Sequence, residues 1–370
     1  MKIFTLLLLC CFGVQLGSLE KKVQCYQHRL CGKSEQVSGF ILVRKRRIAF
    51  WYFESRRGME KDPLLVWLGG GPGVSALFGT STPLLPCSIN TWIENSYSWN
   101  DNAHLLVVDL QPNVGFSGTT TRKKRSFEED LPFFLDHFYI TMSHLRENKV
   151  HIFGESFGGS WIPSAVKSIL DRNNASPKNF INLASLGLGS PLIFPSFQFR
   201  NNNLCSLAML TCAAGYECQQ KKIICLSDFV SEEPKLILDK SIICPSCQVF
   251  NAFNPNALYD LAELWAINHS TVSDLKSIKE TIPLLIYSGK NDSIIQPDDL
   301  QTIFQSIAPR AIRTTWLDLL TLEPIGTIYN YTNTTLVLIA NASHHPYIDK
   351  PLNMLSLISR FIRGLPLNDL

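Results

Sequence analysis

Charge is scarce in this chain. Asp, Glu, Lys and Arg supply 18% of its 370 residues and nearly balance, leaving a formal net charge of +3 at pH 7. No long basic stripe with interleaved aromatics exists, so no nucleic-acid partner is expected, and an acidic polymer is a poor one. The N-terminal apolar stretch, Ile3 to Val14, falls short of the roughly 18–20 residues a spanning helix needs. There is no internal repeat, low-complexity tract or dividing linker, which sets aside solenoids and strings of independent domains. Cys244 and Cys247 form a CxxC, yet no histidines accompany it, so a zinc or redox site is the weaker reading and no metal or cofactor is called for.

A 45% hydrophobic content predicts a substantial core. The opening segment "MKIFTLLLLCCFGVQLGS" carries Lys2, the short apolar run and the small residues Gly17 and Ser18, and is expected to be a cleaved secretory signal over 1–18. Six of the nine remaining cysteines crowd into 205–247, which in a secreted chain reads as a disulfide framework with one thiol left over. Sequons begin at Asn174, Asn268, Asn291, Asn330, Asn333 and Asn341, as suits a glycoprotein. The basic clusters Arg44–Arg47 and Arg122–Arg125 fall where turns or solvated loops are expected.

Short apolar runs recur at 63–68, 104–110, 149–154, 181–188, 282–289 and 335–340, with helical stretches at 127–147, 157–171 and 351–363. Runs of that length predict strands of a buried, mostly parallel sheet. Residues 39–55, "GFILVRKRRIAFWYFES", predict an antiparallel edge hairpin. Residues of about 190–270 break the rhythm and are expected to be a cysteine-rich cap inserted into a single α/β domain over 19–370.

Gly154-Glu155-Ser156-Phe157-Gly158 matches GxSxG, a tight strand-to-helix turn that exposes a serine hydroxyl. Such a serine needs a base to take its proton and a carboxylate to fix the tautomer of that base. Asp292 and His344, each just past a strand-like run, supply the order serine, acid, histidine. His345 is an equal alternative by position. The remaining histidines are expected at the surface, and Asp298 and Asp299 at a helix N-terminus.

The segments "PLLVWLGGGPGVSALFG", "YSWNDNAHLLVVD", "IFGESFGGSWIP", "NPNALYD", "LLIYSGKND" and "HHPYIDKP" occur in one order, and with it residues 38–364 resemble the serine carboxypeptidase family, of the vitellogenic and cathepsin A-like type. The resemblance implies an α/β-hydrolase fold, a central mostly parallel sheet with an antiparallel N-terminal hairpin, and a shortened cap. It implies a secreted or lysosomal enzyme that releases C-terminal residues from peptides. The base then falls on His344, which stands five residues before Asp349 as the family's histidine does, and the acid on Asp292. The oxyanion hole falls on the N–H groups of Gly71 and Phe157, and the substrate contacts on Glu155, Gly70 and Trp67. A peptide substrate and a candidate homodimer are the implied partners.

The sequence departs from the family at the reader of peptide C-termini. Gly69 stands where an asparagine or glutamine is usual, and Pro83 where a second glutamate would pair with Glu155, so Glu155 is expected to act nearly alone. Asn113 replaces a usual glycine and Val74 a usual cysteine. These losses keep an esterase or acyltransferase, or a secreted binding protein, as alternatives. Glycans at Asn291 or Asn341 would crowd the site, so both are expected to stay unmodified.

Overall fold

The computed structural model describes residues 23–28, 30–77, 83–88, 92–119, 128–200, 269–318, 321 and 323–367. The signal segment, Arg122–Arg125 and the cysteines of 205–247 lie outside these residues. So does most of the expected cap.

The described residues build a twelve-stranded sheet in the order β1-β2-β3-β5-β4-β7-β8-β9-β12-β11-β10, with β6 (Gly118–Thr119) paired to β3. Its middle is β5 (His104–Asp109), β4 (Leu64–Trp67), β7 (Val150–Glu155), β8 (Leu183–Gly189), β9 (Leu284–Gly289) and β12 (Thr334–Ile339), all parallel. These are the six apolar runs of the sequence. They are continuous because both faces are covered: Leu64 and Val66 point into one core, Leu65 and Trp67 into the other. Helices α1 (Asp130–Thr141), α2 (Ile162–Ala175), α3 (Val272–Ile278) and α4 (Pro297–Ile307) feed the first core, and α5 (Pro351–Ile362) the second. Among the described residues no helix is long and apolar enough to cross a membrane.

The predicted hairpin is β2 (Gln36–Val43) and β3 (Arg46–Phe53), preceded by an added edge strand β1 (Val23–His28). Its two-residue turn has both Arg44 (φ 48°) and Lys45 (φ 70°) in the left-handed region, as a twisted tight hairpin requires. Arg44 pairs with Glu129 at 3.0 Å and Arg46 is buried against Asp130, so these two arginines of the cluster are structural. The far edge of the sheet is a second such margin. β11 (Pro324–Tyr331) and β10 (Ile312–Leu317) are antiparallel there as well.

One correction concerns histidine. His104 and His151 are buried inside β5 and β7, not at the surface, because each finds a hydroxyl: Tyr52 Oη at 2.8 Å from His104 Nδ1, and Ser185 Oγ at 2.7 Å from His151 Nδ1. Burial, with Lys149 adding a smaller push, drives His151 down to about 3, which keeps it neutral. Asp298 and Asp299 do open α4, where Asp299 also pairs with Arg200 at 2.8 Å.

Candidate active site

Every parallel strand ends at the same rim, and the strand registers align those ends: Glu155 of β7 faces Gly189 of β8, Gly189 faces Tyr287 of β9, and Gly289 faces Ile339 of β12. Residues following β7, β9 and β12 therefore open along one rim. These are Ser156, Asp292 and His344.

Ser156 is the first residue of a 3-10 turn (Ser156–Ser160) and holds φ 50°, a left-handed conformation that is costly for a residue with a side chain. Packing enforces it. A Cβ on Gly154 would lie 2.1 Å from Ile162 Cδ1, and one on Gly158 would lie 2.8 Å from both Gly69 O and Ile162 Cδ1. Only the bare backbone lets the turn close between the Gly69 segment and α2. From outside, the Leu192 N–H donates to Ser156 O at 2.8 Å.

Asp292 lies buried after β9. Its Oδ1 accepts the Ile294 and Ile295 N–H groups, both at 2.9 Å, and its Oδ2 lies 2.8 Å from His344 Nδ1. Burial favours the neutral acid, but the hydrogen bond and charge of His344 and the two backbone donors outweigh it, so Asp292 is held below its ordinary value. Ser190, at φ 41° after β8, donates to His344 O at 2.9 Å and fixes the backbone of that residue.

His345 goes elsewhere. Its Nδ1 lies 3.0 Å from Glu155 Oε2, while Tyr347 Oη reaches Glu155 Oε1 at 2.9 Å and Oε2 at 2.8 Å. Glu155 is 6% exposed and is not alone. This corrects the expectation drawn from Gly69 and Pro83: its companions come from 190 residues downstream. Burial lowers the affinity of His345 for a proton, but Glu155, and more weakly Asp292 and Asp349, more than reverse this and hold it above its ordinary value.

The glycine segment packs directly on the elbow. A Cβ on Gly70 would fall 2.7 Å from Glu155 O and 3.1 Å from Ser156 Cβ. Gly71 sits at φ 116°, beyond the reach of side-chain residues, and its N–H has no acceptor among the described residues. Phe157 is the second residue of its turn, where N–H groups lack intrahelical partners. Trp67 is 1% exposed. It packs against Trp99 and Tyr347 with centroids 5.4 and 6.0 Å apart, so it supports the Glu155 cluster from below instead of lining an opening.

Two supports escaped the sequence reading. Asp109 accepts from Ser75 Oγ at 2.9 Å and Ala76 N at 2.7 Å, and Gln111 accepts from Gly73 N at 2.9 Å while donating to Gly70 O. They pin both flanks of Gly71. Asp109 carries the signal that singled out Asp292, an acid closing an apolar run, but precedes Ser156 in the chain. Asn113 takes φ 56°, which explains how asparagine serves where glycine is usual. The described residues on either side of 201–268 meet near the elbow: Thr271 N donates to Ile193 O at 3.0 Å, and Thr271 Oγ1 to Gly159 O at 2.7 Å. Asn291 and Asn341 are both exposed.

The sequence signature described as "Serine carboxypeptidase" matches residues 29–242 and 245–364. Carboxypeptidase Y of Komagataella phaffii is 36% identical over 174 residues, 45% of this chain and 32% of that protein. A vacuolar serine-type carboxypeptidase of Saccharomyces cerevisiae is 35% identical over 170 residues, 44% of this chain and 33% of that protein. The matches thus span about a third of the length of these curated relatives. A crystallised prohormone-processing carboxypeptidase of Saccharomyces cerevisiae superposes with a TM-score of 0.72 at 17% identity, over 94% of this chain and 97% of that one. That likeness shows the α/β-hydrolase fold.

Proposed function

The chain belongs to the serine carboxypeptidase family, and from that premise we propose that it hydrolyses the last peptide bond of a substrate through an acyl-enzyme on Ser156. One observation carries the proposal: a strained elbow serine shares a sheet rim with a buried His344–Asp292 pair 2.8 Å apart. His344 takes the Ser156 proton as Oγ attacks the scissile carbonyl carbon. The N–H groups of Gly71 and Phe157 receive the developing oxyanion, each worth on the order of 3 kcal/mol of barrier. The proton then passes from His344 to the leaving amine, the C-terminal residue departs, and water releases the shortened peptide by the same route. Asp292, held ionised, keeps the His344 Nδ1–H in place and offsets the imidazolium charge. A secretory or vacuolar/lysosomal setting fits this role, as the relative named vacuolar does. The homodimer stays an expectation.

A fluorophosphonate probe should label Ser156, and Ser156→Ala should abolish both labelling and turnover of blocked dipeptides. Turnover retained by the purified variant would end the assignment. Gly69, which offers no side chain to a terminal carboxylate, favours an esterase as the second reading; equal rates on a free acid and its amide would select it.

A further inference from the structure

Both oxygens of Glu155 are occupied. Tyr347 Oη and His345 Nδ1 take them, and the Glu155 side chain is only 8% exposed. Glu155 is therefore largely screened from a substrate by these two partners. His345 differs: its side chain is 41% exposed, and its second ring nitrogen, Nε2, has no hydrogen-bond partner among the described residues. The pair also sits at the reacting bond, since Glu155 directly precedes Ser156 and the His345 ring lies 4.8 Å from the His344 ring.

We propose that His345 is the receptor for the α-carboxylate of the departing C-terminal residue, presenting its Nε2–H as a charged donor while Glu155 and Tyr347 fix the ring from behind. The proposal rests on the reading of Ser156 given above and names the group recognised beside it. Position selects a carboxylate: His345 follows the base and its partner Glu155 precedes the nucleophile, so the pair flanks the side of the site where the leaving residue of a peptide carries its terminal acid. A charge-assisted hydrogen bond to an oxyanion is about twice as strong as a neutral one, so a single imidazolium can replace a lost amide side chain. The groups facing His345 are Glu155 from β7, Asp292 from the loop after β9, Asp349 and Tyr347 from the turn before α5, and His344 beside it. The three acids favour its protonated form. The receptor is therefore charged in acid, holds its charge to a higher pH than a free imidazole does, and is discharged above its raised pKa.

The test measures binding of N-acetylphenylalanine and of N-acetylphenylalaninamide to Ser156→Ala by calorimetry at pH 5.5 and 8.5. Ser156→Gly, which suits φ 50°, serves if the alanine variant folds poorly. At pH 5.5 the acid should bind at least about tenfold more tightly than the amide, with that preference shrinking at pH 8.5. Adding His345→Gln should erase the preference at both pH values, whereas His345→Lys should retain it at pH 8.5. Equal affinities at pH 5.5, or an acid preference that survives His345→Gln, would overturn the proposal. A wild-type protein that takes no fluorophosphonate label while the His345-dependent preference holds would instead defeat the reading of Ser156 and leave the receptor standing.

Discussion

At the scale of single residues, the site depends on backbone approaching backbone. Gly70 is the clearest case, for it has an ordinary φ and yet no room for a methyl group: the nearest atom, Glu155 O, would lie at 2.7 Å and belongs to the backbone that sets Ser156. Gly70→Ala must therefore push the glycine segment and the elbow apart. A displacement approaching 1 Å at a reacting group costs on the order of 10²-fold in rate. We expect a fall of that size in kcat and in the rate of fluorophosphonate labelling, with KM changed much less. A variant labelled at the wild-type rate would show that the elbow tolerates the shift. Gly69 differs: its φ of 69° suits glycine or asparagine, but a Cβ would lie 3.0 Å from both Ala76 Cα and Cβ. Restoring the amide by Gly69→Asn thus requires Ala76 to yield, and Asp109 holds Ala76 at 2.7 Å.

At the scale of elements, the sheet is continuous but its N-terminal margin is stapled. Cys31–Cys87 joins the turn before β2 to the segment leading to β5 across 56 residues. Closing a loop of that length in the unfolded chain contributes about 4 kcal/mol. Cys31→Ala with Cys87→Ala should lower the unfolding free energy by about that amount in a urea titration without reductant; a loss under about 1 kcal/mol would mean that the margin is held by its strand pairing alone. The same margins divide what the sequence revealed from what it hid. The six parallel strands were legible because burial on both faces makes them uniformly apolar. β10, "IRTTWL", buries only Trp316 and so carries no such signature. The pairing of Asp292 with His344 was legible because each follows a readable strand. The Glu155 cluster was not, since its partners meet only when the ends of β7 and β12 are brought together, and two adjacent histidines look alike until one is seen to face Asp292 and the other Glu155.

At the scale of the whole molecule, buried titratable groups set an optimum of stability in pH. Asp109 is wholly buried; its burial raises the carboxyl from 3.8 to about 7, the hydrogen bonds from Ser75 and Ala76 offsetting only part. Its folded form keeps a proton that the unfolded chain releases, so stability falls as pH rises between about 4 and 7, by up to roughly 1.4 kcal/mol per unit. His345, raised by Glu155 against the pull of burial, adds a loss as pH climbs through its folded pKa. His151 works in the opposite direction. It is about 3 when folded against 6.5 ordinarily, so the unfolded chain takes up the proton first and stability falls as pH drops below 6.5; burial lowers His104 and His144 in the same sense. These slopes oppose one another across the mildly acidic range, and the melting temperature should peak between about pH 6 and 7. Asp109→Asn isolates one limb, because asparagine can still accept from Ser75 or Ala76 but cannot ionise. The melting temperature of the variant minus that of the wild type should increase steadily from pH 4 to 7 and stay constant from 7 to 8.5. A difference independent of pH would mean that Asp109 titrates alike in the folded and unfolded chains, and that the loop carrying Gly71 is held by an ionised carboxylate instead of a protonated one.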